Sequence, residues 1–321
     1  VTTPPVLASE PSGAYLAARQ ARYQGDFAAA AQYYAQVLAK DPSNPAILEN
    51  ATLAYLALGQ LDRAVAIARK IEGDGLRSQI AQMALVADET RKGDYDAILA
   101  RVQSDRGVGA LADGLIAAWA DLGKGDMTAA LERFDGVAEE RGLRSFAIYH
   151  KALALASVGD FEGADKVFSG EADGPMQRTR RGVIAWAQVL SQLDAQDRAI
   201  TVIDDTFGSD LDPEVAQLRA DLEAGNRVPF GQITNAGDGI AEVFYSLGRA
   251  LMQEANDEYI LLYSRIAETI KPDHIDAVIM TAELLEQMDR HDLAIEAFKK
   301  VPRDHPSFHA AELGRSDVLR R

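Results

Sequence analysis

Apolar residues recur along this chain at two nested intervals. Over short stretches they fall three or four positions apart, which places them on one face of an α-helix. Leu48, Ala51 and Tyr55 form one such set, and Ile148, Ala152 and Leu155 another. Over longer stretches these runs are cut by Gly-Asp pairs at Gly25-Asp26, Gly93-Asp94, Gly125-Asp126 and Gly159-Asp160. A larger apolar residue follows each pair: Phe27, Tyr95, Met127 and Phe161. Gly59, followed by Leu61, fills the remaining place, so the glycines stand 34, 34, 32 and 34 residues apart. Pro272 and Pro306 are also 34 apart.

Each interval reads as two helices joined by a tight turn. Glycine ends the first helix because it adopts a left-handed backbone without a Cβ clash. Aspartate caps the second helix and favours its positive end. Alanine follows five residues after the glycine, at Ala30, Ala64, Ala130 and Ala164, where two helices must approach closely. Tyr34, Phe134 and Phe168 come four later, with Ala68 as the exception. Prolines such as Pro42 stop the second helix. The pattern predicts helix pairs over 12–40, 45–72, 77–104, 109–140, 144–169 and 178–207. It then predicts an extra helix from Pro213 to about Ala224, further pairs over 239–270 and 274–303, and a last helix from Ser307.

A 34-residue helix-turn-helix period is that of the tetratricopeptide repeat. The segment from Phe244 through Leu247, Gly248 and Leu251 to Ile260, Ala267 and Pro272 resembles that family's pattern of large, Leu-Gly, large, small and Pro. Glu89 departs from it in the third repeat, and Ala195 stands in the sixth where the turn glycine is expected. The resemblance covers most of residues 12–321 and implies an all-α solenoid, a right-handed superhelix of stacked pairs. It also implies that the first helices line a concave, peptide-binding groove. Carried onto this chain, the inward positions include Ile80 and Met83, Leu115 and Trp119, Phe146, Tyr149 and Leu153, and Val189. The first unit contributes Tyr15, Arg19 and Arg22; the unit near the C-terminal end contributes Glu242, Tyr245, Arg249 and Met252. The centre of such a groove is apolar and aromatic and its flanks are charged. The cationic clamp for carboxylate termini is therefore not expected at the centre. Trp119 and Tyr149 are expected to be exposed in the free protein.

The rhythm breaks once. Ala195 and its counterpart Ala255 are 60 residues apart, 26 more than one period. The excess holds the extra helix and a loop from Gly225 to Gly237. A loop this long inside a compact array is uncommon. Val228, Phe230 and Ile233 within it are expected to pack on a neighbouring helix and seal the junction between two subarrays, with plugging of the concave groove as the alternative. The domain reading is a lead-in over 1–11, six repeats over 12–207, the insertion over 208–238, two repeats over 239–306, and a capping or incomplete repeat over 307–321.

Composition narrows the function. The 321 residues carry a net charge of −16, which disfavours nucleic acid and anionic lipid surfaces. There is no cysteine, so disulfides, thiol chemistry and cysteine-bound zinc are excluded. No apolar run approaches the ~18 residues that span a bilayer. The start at Val1, with Pro4, Pro5 and Pro11 close behind, reads as the beginning of a processed chain, and export to a periplasmic compartment is expected over a cytoplasmic location.

No chemical motif stands out. His305 and His309 have metal-ligating spacing, but Pro306 places His305 ahead of a helix. Asp210, Asp212 and Glu214 partly imitate a calcium loop, yet Val215 stands where that loop needs glycine. Arg178, Arg180 and Arg181 could meet an anion, though a solvated link between repeats is the plainer reading; His274 and Gly237-Asp238-Gly239 read as helix starts. The expectation is thus a non-enzymatic protein-interaction scaffold without a cofactor, binding a polypeptide at Met83, Leu115, Trp119, Phe146, Tyr149, Leu153, Tyr245 and Arg249. The alternative is a structural subunit of a bacterial envelope assembly that uses its convex face or ends.

Overall fold

The structure, a computed structural model, describes residues 10–320; the expected lead-in lies outside the described residues as far as residue 9. Among the described residues the regular structure is helical throughout. The first six pairs are α1 (Glu10–Tyr23) with α2 (Phe27–Leu38), α3 (Pro45–Ala57) with α4 (Leu61–Gly73), and α5 (Gln79–Lys92) with α6 (Tyr95–Gln103). They continue with α7 (Asp113–Gly123) and α8 (Met127–Ala138), α9 (Arg144–Ser157) and α10 (Phe161–Phe168), and α11 (Arg180–Gln192) and α12 (Gln196–Phe207). A single helix follows, α13 (Pro213–Glu223). Two pairs come next: α14 (Ala236–Leu251) with α15 (Asp257–Ile270), and α16 (Ile275–Gln287) with α17 (His291–Phe298). The last helix is α18 (Phe308–Leu319).

The turns form for the reasons the spacing suggested. Gly25 and Gly159 have φ of 67° and 85°, and the aspartates that follow accept main-chain N–H bonds three residues on. Asp94 and Asp126 cap α6 and α8 in the same way. In the sixth repeat the left-handed residue is Asp194, with φ of 55°. Ala195 instead holds the capping position and offers no side-chain bond, one place along from the expected register. Ala30, Ala64, Ala130 and Ala164 are fully buried where paired helices meet. Glu89, the charged departure in repeat three, is held by the Arg101 guanidinium at 3.1 Å.

First helices of successive units touch one another: α3 meets α5, α7 meets α9, and α9 meets α11. They therefore form the inner side of the solenoid, as stacked repeats with a small rotation per unit require. That inner side is not empty. Helix α14 packs against α7 and reaches α5 and α9, while α15 packs against α3 and α5. The later repeats have folded back into the hollow of the earlier ones.

The insertion carries the chain to that position. Residues 228–232 run along α11 from its C-terminal end toward its start. The Val228 N–H donates to Ser191 Oγ at 2.8 Å, and the Val228 carbonyl accepts from Gln192 Nε2 at 2.6 Å. The Gly231 N–H donates to Gln188 Oε1 at 3.3 Å, and Gln232 Nε2 donates to the Arg181 carbonyl at 3.0 Å. Ile233 is buried, and Val228 and Phe230 pack half-buried against the core.

Candidate functional site

The residues expected to line an open groove mostly line a closed one. Met83 on α5, Leu115 and Trp119 on α7, and Tyr149 and Leu153 on α9 are all buried. Phe146 is half-buried. The expectation that Trp119 and Tyr149 stand exposed in the free protein is corrected here: α14 covers them. Tyr245 and Arg249 belong to the covering helix itself. Tyr245 lies half-buried, 4.7 Å between ring centres from His274 and 5.5 Å from the Arg181 guanidinium, whereas Arg249 is exposed and donates to Met252 Sδ.

Small residues let α14 come this close. At Gly239 a Cβ would sit 2.1 Å from the Trp119 indole, and at Gly237 one would meet the Thr90 side chain at 3.5 Å. The indole is held in turn. Trp119 Nε1 donates to His150 Nδ1 at 3.0 Å, and its ring meets Phe134 edge-on. Because His150 accepts at Nδ1, its neutral ring carries the proton on Nε2 and donates to Ser246 Oγ of α14 at 3.2 Å. Burial lowers the His150 pKa to about 4 and keeps it neutral.

Beside this apolar seat lies a buried polar latch centred on Glu242 of α14. Tyr149 donates its hydroxyl to Glu242 Oε1 at 2.8 Å, and Arg181 Nη2 reaches Oε2 at 2.7 Å. His274 accepts the Ala277 N–H at Nδ1, so its Nε2 proton points to Glu242 Oε2 at 3.0 Å. Burial alone would raise the Glu242 pKa; the Arg181 charge and the His274 hydrogen bond outweigh it and hold the carboxyl well below its usual range. Burial beside that carboxylate pushes the Tyr149 phenol well above 10. Arg181 continues to Asp276 of α16 at 2.6 Å, and Arg180 joins Asp276, Asp212 and Glu214.

These contacts settle several sequence candidates. Arg180 and Arg181 spend their guanidinium groups on internal carboxylates, and the Arg178 guanidinium lies 5.5 Å from the centre of the Trp186 ring. Asp212 caps α13 and, with Glu214, pairs with Arg180. His274 caps α16, and His305 precedes α18, accepting the Ser307 N–H. In Gly237-Asp238-Gly239 the carboxylate binds Lys271 at 2.8 Å and the Thr234 hydroxyl at 2.7 Å. Among the described residues no cluster of His, Asp and Glu is placed to hold a metal ion, and no helix is long and apolar enough to cross a membrane.

Two contacts tie the array's ends together. Arg265 of α15 is buried and donates through Nε to the Ala57 carbonyl at 2.9 Å, at the negative end of α3. Arg22 of α1 meets Glu258 of α15 at 3.1 Å. Beside that pair the inner face stays open. A cleft of about 590 Å³ lies between the first repeats and the returning ones, lined by Tyr15, Arg19, Arg22, Tyr34 and Asn50 on one side and Asn256, Glu258 and Met288 on the other. Tyr15, Arg19 and Arg22 are the inward positions assigned to the first unit from sequence. Nothing in the sequence paired them with residues some 240 positions away, because the repeat pattern specifies only neighbouring units.

Stacked helix pairs whose inner face is filled by later pairs define a self-closed α-helical repeat protein. Tetratricopeptide repeat family models match residues 21–87 and 276–307, at opposite ends of the described chain. The two matched segments are tetratricopeptide repeats, and the same helix-turn-helix pairing runs between them. No curated protein matches the sequence. Among solved structures, a tetratricopeptide repeat protein from Parabacteroides merdae is 12% identical, with 96% of this chain and 98% of that one covered and a TM-score of 0.31. The C-terminal part of a repeat-containing protein from Cytophaga hutchinsonii is 13% identical, with 95% and 99% covered and a TM-score of 0.30.

Proposed function

We propose that this chain is a protein-interaction scaffold that holds a polypeptide segment on the part of its concave face left open by α14 and α15, the cleft beside Arg22. The observation that carries the reading is the occupancy of the rest. The inner faces of α3, α5, α7 and α9 are covered by α14 and α15, and residues 228–232 lie along α11. The apolar centre thus acts as core, and a partner engages the polar and aromatic end. Tyr23 is 89% exposed at the rim and Arg19 is exposed beside it, so side chains able to contact a peptide are already turned to solvent.

The reading is tested by selecting peptides from a random displayed library against the purified protein, then mapping the tightest binder by hydrogen exchange. Protection at residues 15–25 and 256–258 is the expected outcome. Protection confined to second helices such as α4 or α8 would overturn it.

A further inference from the structure

We infer that the cleft between α1 and α15 recognises an acidic peptide segment, one with closely spaced Asp or Glu residues within the chain rather than a free carboxylate terminus. The inference rests on the reading of that cleft as the docking site.

The first ground is charge. The molecule as a whole carries −16, yet the cleft is lined by two guanidinium groups and one carboxylate, Glu258. A third guanidinium, from Arg290, comes within 3.4 Å of the Cβ position at Gly25 on the cleft wall and, among the described residues, is hydrogen-bonded only to the Met288 carbonyl. The cleft is therefore a local cationic patch on an anionic protein, and such a patch steers anionic segments toward itself.

The second ground is that the cleft already holds a carboxylate. Glu258 is bound by Arg22 through Nη2 at 3.1 Å and Nε at 3.5 Å, with Asn50 accepting from the other amino group. Arg19 lies one helical turn earlier on α1, three residues from Arg22, so the two side chains neighbour each other on one face. Arg19 makes no ion pair among the described residues and rests over the Tyr15 ring at 5.8 Å. Arg19 lines the same cleft as the Arg22–Glu258 pair, so its guanidinium is open to a carboxylate brought in by a partner. Tyr15 and Tyr23 line the same cleft and offer aromatic surface to the rest of such a segment.

The third ground selects an internal segment. The two walls come from opposite ends of the array and leave the cleft open, so a chain is free to pass through. A terminus-binding site would close around the end of its ligand.

The test is fluorescence anisotropy with four labelled ten-residue peptides on a Gly-Ser frame. One carries three glutamates and a C-terminal amide, and one replaces the glutamates with lysines. The third is neutral and amidated, and the fourth is neutral with a free carboxylate. Binding of the glutamate peptide is expected, weakening as salt rises from 50 to 200 mM. Arg19→Glu is expected to weaken it about tenfold or more, the scale of one charge-assisted hydrogen bond. Arg77→Ala, remote and exposed, is expected to leave it unchanged. Preference for the lysine or neutral amidated peptide, still sensitive to Tyr23→Ser, would overturn the acidic class while leaving the docking site in place. Binding of the free-carboxylate peptide alone would replace the internal segment with a terminus. Failure of all four, together with library peptides that protect other surfaces, would overturn the docking site itself. Circular dichroism of Arg19→Glu checks that the variant is folded.

Discussion

Gly239 and Trp119 stand 120 residues apart in sequence and in direct contact in the fold, with a Cβ on Gly239 placed 2.1 Å from the indole. The indole has nowhere to go, since Phe134 and His150 hold its other sides. Gly239→Ala is therefore expected to destabilise the protein by about 2–3 kcal/mol through overpacking, despite the higher helix propensity of alanine. Thermal unfolding checks this. A melting temperature equal to or above that of the parent would mean that α14 does not sit this close.

Glu242 is the polar counterpart of that contact. Glu242→Gln keeps the shape but removes the charge that faces Arg181 inside the core. Leaving a buried guanidinium short of its partner is expected to cost about 3–5 kcal/mol. Hydrogen exchange should show α14 losing protection, with α7 and α9 following. Loss confined to α14 would indicate that its neighbours do not depend on it.

The pH dependence follows from the same helices. His150 has its pKa lowered to about 4, against an ordinary value near 6.5. Between these values the unfolded chain binds the proton and the folded chain does not, so stability falls as pH drops below 6.5. The loss from His150 is about 2 kcal/mol at pH 5 relative to pH 7.5. His274, also lowered by burial and by Arg181, adds in the same direction. Tyr149, raised above 10, works the other way at high pH: the unfolded chain loses its proton first, and stability declines above pH 10. Chemical denaturation across pH 4.5–8 should show the acid limb, and His150→Asn should make it shallower. An unchanged slope in that variant would count against a neutral buried His150.

The insertion is expected to matter for stability rather than as a tether. Replacing Val228, Phe230 and Ile233 together with serine removes apolar surface from the α11 contact and buries a hydroxyl at Ile233. A loss of about 3 kcal/mol or more is expected, with new protease cleavage near residue 225. Equal melting temperature and equal proteolysis would show that the contact with α11 carries no weight.

The period, the turns and the caps could be read from sequence because each is local. A glycine, an aspartate and an alanine at fixed offsets say how one unit folds and how it meets the next. The closure is not local, and the open groove expected at Trp119 and Tyr149 failed for that reason. The large apolar residues of α14, Ile240, Val243, Phe244 and Leu247, keep to one stripe, as on a helix with a solvated far side, whereas in the fold every residue from Ala236 to Phe244 is buried. The glycines and Glu242 on the other sides gave no sign of that burial, because a carboxylate at an inward position reads as a solvated flank until Arg181, Tyr149 and His274 are seen around it. The cleft residues were assigned correctly to the inner face, but their opposite wall was invisible.

An open solenoid behaves as a chain of weakly coupled units: each repeat is stabilised by its two neighbours, an end can fray alone, and a unit can be added or lost with local effect. The return of α14 and α15 into the hollow removes that freedom. Arg265 at Ala57 and Arg22 at Glu258 connect positions more than 200 residues apart, so folding includes the search for distant partners that slows proteins rich in long-range contacts. It also fixes the number of units. Deleting a middle repeat would shift every later helix by one unit of rise and rotation, and Gly239 would no longer find Trp119. The protein has kept the sequence grammar of a modular array while acquiring the indivisibility of a globule.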